Sequence, residues 1–190
     1  MLLAAQHLVD RLRHPRSRAD EVASVRRRLA GAPGPERASA EEAAVAADLR
    51  RLREALAAAL AGVESCSGCS RGHPLPHGRW DGGHCCGTRT ELVFTDDEVA
   101  ALRLAGTTPA RLALPAGDHA GCAFRGPAGC SLAPADRPSI CVRFICRELD
   151  DELRSRGDRR AVRAIAAELG GAFERWQRLR AARLAAEEGP

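Results

Sequence analysis

Residues 39–63 read SAEEAAVAADLRRLREALAAALAGV. Val45, Leu49, Leu52, Leu56, Leu60 and Val63 recur at steps of three and four, which is one stripe of a long amphipathic helix. Ser39 and Glu42 have the spacing of a capping box at its start, and the helix should run to about Gly62. The stripe serves either packing against helices of the same chain or a coiled-coil seam between two copies. About three heptads is short for the second. This stretch decides the fold class, which is mainly α.

Working outward, residues 2–13 predict a short helix stopped near Pro15, and residues 19–30 a second, ended by Gly31 with Pro33 and Pro35 beyond. Thr95 and Glu98 form another capping box, opening a helix of about ten residues that ends at Gly106. From Pro138 the spacing of Cys141, Phe144, Ile145, Leu149 and Leu153 is helical again. A last helix from about Asp158 carries Val162, Ile165, Leu169, Phe173, Trp176 and Leu179, with Gly170 and Gly171 as a place to kink or split it. Between these, Glu64 to Arg89 has no period, Thr88 to Phe94 reads as a short strand, and 107–139 is irregular with a small hairpin around Pro127–Gly129. The expected organisation is a helical arm over 1–63, an irregular Cys-rich metal-binding module with a short β element over 64–157, and a C-terminal helix over 158–190 packing on the arm.

The chain has 190 residues, with four Phe, two Trp and no Tyr. Its core must rest on aliphatic residues, which suits helices better than a β-sandwich. All 29 basic residues are Arg, so a Walker lysine, a Schiff-base lysine and a kinase-type lysine are excluded, as is a tyrosine acid or nucleophile. No Ser/His/Asp elbow, Gly-rich phosphate fingerprint or His-Glu-x-x-His is present. The net charge of +4 would fall to zero if eight thiolates held two divalent ions. That, with so few aromatics to stack on bases, argues against nucleic acid as a partner. Gln6, His7 and Asp10 interrupt any signal-peptide core, and no apolar run approaches the ~20 residues of a membrane span. The expectation is a cytoplasmic protein with no membrane partner.

Disulfides are disfavoured in that compartment, so the cysteines need another explanation. All eight lie between positions 66 and 146: Cys66, Cys69, Cys85, Cys86, Cys122, Cys130, Cys141 and Cys146. Cys66-x-x-Cys69 is a knuckle that lets two thiolates reach one ion from a tight turn. Cys85 and Cys86 are adjacent, and neighbouring side chains point apart in extended chain. They either meet one ion in a distorted turn, which Gly82, Gly83 and Gly87 permit, or serve two. Cys141 and Cys146 are five apart, about 140° around a regular helix. Either the helix starts after Cys141 or only one of the two is a direct ligand. His84, beside Cys85, is the best accessory nitrogen ligand or proton-transfer group, and Arg137 is a candidate partner for a carboxylate or for thiolate charge. His73, His77 and His119 read as solvated loop. Asp96, Asp97 and Glu98 open a helix, where negative charge favours capping over a carboxylate metal site.

The sequence Cys66-x-x-Cys69, Cys85-Cys86-Gly87, Thr95-Asp96-Asp97-Glu98, Gly121-Cys122-x-Phe124, Gly129-Cys130-x-Leu132 and Arg137-Pro138-x-x-Cys141 resembles the YkgJ-like, or CxxCxxCC, cysteine-cluster family of bacterial zinc- or iron-chelating domains. The likeness spans about residues 64–146. It departs from the family pattern in placing fifteen residues instead of two between Cys69 and Cys85, and in the extra Cys146. The resemblance implies a bound zinc or iron, the iron either alone or as an iron–sulfur cluster.

Thiolate donors suit zinc or iron–sulfur and not calcium or magnesium. The leading expectation is a metal-binding protein in which the centre holds the middle rigid and offers a protein-partner surface. The 39–63 helix is the candidate seam for a homodimer. The alternatives are an iron-dependent redox enzyme or electron carrier, and a zinc or iron storage or delivery protein.

Overall fold

The structure, a computed structural model, describes Leu12 and residues 16–65, 89–115, 121–126 and 129–189. Its helices are α1 (Arg18–Gly31), α2 (Ala40–Ala59), α3 (Thr90–Val93), α4 (Asp96–Leu104), α5 (Ser139–Arg143), α6 (Arg147–Arg156) and α7 (Arg159–Glu188). Three 3-10 turns, Pro35–Arg37, Pro109–Arg111 and Pro134–Asp136, each begin on a proline, whose missing N–H is no loss in a first turn.

Side chains start the longer helices. The Ser17 hydroxyl accepts the Asp20 N–H at α1. At α2 the capping box is complete: Ser39 Oγ accepts the Glu42 N–H and the Glu42 carboxylate accepts the Ser39 N–H, at 3.1 and 2.8 Å. α2 ends at Ala59, and Gly62 turns the chain at φ +76°. Gly157 ends α6 at φ +79°, so that α7 starts two residues later. α7 runs unbroken through Gly170 and Gly171. A Cβ on Gly170 would stand 3.5 Å from Nη1 of Arg143, an ordinary contact distance, so the helix does not require a glycine there.

Two apolar clusters form the core. The first joins the α2 stripe to Ala100 and Ala101 of α4, Val142 of α5, Leu149 and Leu153 of α6, and Val162, Leu169 and Trp176 of α7. Each fully buried leucine of the stripe contributes about 1.5–3 kcal/mol. α7 lies along α2 and is fixed by Arg175 to Glu41 (2.6 Å), Arg183 to Glu42 (3.0 Å) and Arg180 to Asp97 (2.5 Å). The stripe is thus covered by the chain's own helices. This is the first of the two readings of the stripe, packing against helices of the same chain. The second cluster joins Val22, Val25 and Leu29 of α1 to Val93, Phe94, Val99, Leu102, Leu112, Phe124 and Leu132, with the Phe94 and Phe124 rings 5.1 Å apart.

The short β element expected in the cysteine-rich middle is overturned. Residues 90–93 form a helical turn, with Leu92 N–H on the Arg89 carbonyl and Phe94 N–H on that of Thr90. The reason is burial: Thr90, Val93 and Phe94 all face inward, a spacing of three and four that a strand, with its alternating faces, cannot satisfy. Extended pairing among the described residues amounts to Arg125–Gly126 against Gly129–Cys130, two residues a side closing a turn. The architecture there is mainly α. The helix predicted from Pro138 is two helices, broken at Phe144–Cys146. No helix among the described residues is long and apolar enough to cross a membrane.

Candidate metal centre

Of the expected ligands, Cys66, Cys69, Cys85 and Cys86, and the accessory His84, lie outside the described residues. The other four are described, and none is in a disulfide. The structure sorts them three and one. Cys122 is buried in the second cluster, and Cys130 and Cys141 pack against it from separate segments. Cys146 stands at the N-cap of α6 and packs against the first cluster with Ile145 and Val63. The break between α5 and α6 sends the last two cysteines to different cores. Among the described residues no group of three or more His, Cys, Asp or Glu side chains comes together as a metal cradle. A thiolate centre here needs donors from residues 66–88.

Short-range bonds set the Cys122 and Cys130 segments. Arg125 N–H closes a turn onto the Cys122 carbonyl at 3.0 Å, and Ser131 N–H reaches the Phe124 carbonyl at 2.8 Å. The ladder places Cys130 opposite Arg125. The Ala123 N–H is bonded at 2.9 Å to the hydroxyl of Thr90, which in turn donates to Glu21 of α1. Arg137, a candidate for thiolate charge, instead donates from Nε to the Leu132 carbonyl at 2.9 Å, holding the loop after Cys130.

Burial pushes the Cys122 thiol up to about 11; the Phe124 N–H and Thr90 hydroxyl work against this, and the neighbouring Cys130 adds to it. A bare Cys122 is therefore an un-ionised, inert thiol at neutral pH. A dication beside it inverts that, since a coordinating thiol is deprotonated outright.

The acids at the start of α4 are each taken by arginine. Asp96 pairs with Arg28 at 2.7 Å and Asp97 with Arg180. Thr95 Oγ1 accepts the Glu98 N–H at 3.2 Å, as a cap should. The Glu98 carboxylate, however, turns into the interior, where Oε2 accepts Arg53 Nη2 at 3.1 Å and Oε1 accepts the Ser139 N–H at 2.7 Å. Arg53 Nη2 also reaches Ser139 Oγ at 3.0 Å. Arg53, Glu98 and Ser139 are all buried. Burial raises the Glu98 carboxyl, with Arg53 and the Ser139 and Ile140 N–H groups opposing. Nearby, buried Asp136 accepts Thr107 Oγ1 at 2.8 Å and Arg111 Nε at 3.0 Å. These groups are absent from the sequence-based site. The readable signal was Arg53 itself, four residues after Leu49 and three before Leu56, a charge on the apolar face.

Glu152 of α6 accepts two backbone N–H groups, from Glu64 at 2.8 Å and Ser65 at 2.9 Å. It therefore holds the chain directly before Cys66.

No protein-family model, curated protein or solved structure matches the chain.

Proposed function

We propose that this chain is a metal-binding protein of the reducing cytoplasm that holds zinc, or an iron or iron–sulfur centre, through a cysteine cluster. The observation that carries the reading is the convergence of Cys122, Cys130 and Cys141, from three separate segments, on one apolar cluster. The remaining donors are Cys66, Cys69, Cys85 and Cys86. Covalent reach keeps Cys86 within about 14 Å of Thr90, whose hydroxyl is bonded to the residue after Cys122. Cys146 stands with the other cluster and is the least suited of the four described cysteines to join them. The order of the cysteine motifs, with its likeness to the CxxCxxCC family, supports the same reading.

Elemental analysis and a visible spectrum on protein purified without air test it. The expected result is stoichiometric zinc in a colourless protein, or iron in a brown one that bleaches in air. Cys85→Ser and Cys141→Ser should each lose the metal, while His84→Ala keeps it. Metal-free protein, or full metal content in both serine variants, overturns the reading.

A further inference from the structure

Arg53, Glu98 and Ser139 bring three helices to one buried point. Stability alone is a poor reason for such a pair, because well-packed apolar residues of similar volume often do as well or better. What the pair does with geometry is clearer. Glu98 spans the N-terminal turn of α5 through the Ser139 N–H, and Arg53 adds the Ser139 hydroxyl. Both Glu98 oxygens and Arg53 Nη2 are thereby committed to a residue two positions before Cys141. Arg53 Nε and Nη1 make no hydrogen bond, in a guanidinium with no exposed surface.

We propose that Arg53 and Glu98 are positioning residues that fix the α5 turn so that the Cys141 sulfur reaches the metal. The inference rests on the metal-centre reading above. In it, α2 and α4 supply the fixed frame, Ser139 is the joint, and Cys141 is the ligand carried by it.

The test uses the full chain, with zinc affinity measured by competition against a chromophoric chelator and cobalt(II) as a spectroscopic substitute. Ser139→Ala removes the two hydroxyl contacts, to Arg53 and to Glu98, without changing charge; Glu98→Gln removes the charge. Each variant should keep its far-ultraviolet dichroism and weaken zinc by about 10–100-fold, the usual cost of losing support behind a ligand. The thiolate-to-cobalt charge-transfer band should move as well, which a merely structural role would not cause. Arg175→Ala, on the far surface staple, should leave both readouts unchanged. Wild-type zinc affinity and an unaltered cobalt band in a folded Ser139→Ala protein would overturn the proposal, whether or not Glu98→Gln folds. If the wild-type chain takes neither zinc nor cobalt and carries no iron when purified without air, the metal-centre reading itself fails, and this inference with it; if it carries iron alone, a zinc-site role for Arg53 and Glu98 is overturned while the metal-centre reading stands.

Discussion

The two apolar clusters are built on different rules. The first is periodic: one helical stripe, Val45 to Leu56, meets a facing stripe on α7, and arginine–carboxylate pairs close its rim. The second is assembled from short pieces. It takes one face of α1, a helical turn, a proline turn and two ends of a two-residue ladder, and it contains or touches three thiols. Buried polar atoms connect its parts where periodicity does not: Thr90 to Ala123, Thr107 to Asp136, Glu98 to Ser139. The lesson is that the bundle is ordered chiefly by periodic packing, while the thiol-bearing side is ordered by specific bonds and, in the reading proposed here, by a metal.

The sharpest way to separate the two is to damage the bundle only. Trp176 is buried, and its indole N–H donates to the Asp97 carbonyl at 3.0 Å. Trp176→Ala should cost about 3–5 kcal/mol by urea denaturation, and the protein that stays folded should keep its metal content. Metal acts from the other side. Free zinc at about 100 times its dissociation constant should add about 2.7 kcal/mol to the chain's unfolding free energy. A melting curve indifferent to zinc would remove the distinction between the clusters. Ser39→Ala should cost about 1 kcal/mol, confined to helical signal and without effect on zinc affinity.

The smallest effect is electrostatic. Asp150 accepts Arg159 and Arg163 Nε, each at 2.9 Å, and these bonds hold its carboxyl down to about 2 from an ordinary 3.8. A depressed acid stabilises the fold fully above its unfolded value and loses that contribution as pH falls through its folded value. The loss should therefore appear between about pH 4 and pH 2, and melting curves of Asp150→Asn should lack it.

This contrast also explains what the sequence could disclose. Wherever burial follows a helical repeat, the residues announced it: the α2 stripe, the Ser39 box and the long α7 are all readable. The β-branched residues of Thr88 to Phe94 suit a strand, whereas the deciding fact is that Val93 and Phe94 both turn inward. Glu98 was read as capping charge because the i to i+3 spacing is identical for a cap and for a carboxylate that swings into the core. The five-residue spacing of Cys141 and Cys146 already sets them apart on a regular helix; that they go to different clusters depends on where the helix breaks, which the spacing leaves open.

The Glu152 clamp has a final consequence for evolution and engineering. Ser65 before residues 66–88 and Thr90 after them are each tied to the rest of the chain, so both ends of that stretch are anchored. Closure entropy grows only logarithmically, so doubling such a loop costs about 0.6 kcal/mol. Added length between Cys69 and Cys85 is accordingly cheap, and this is the place where the chain should accept foreign sequence.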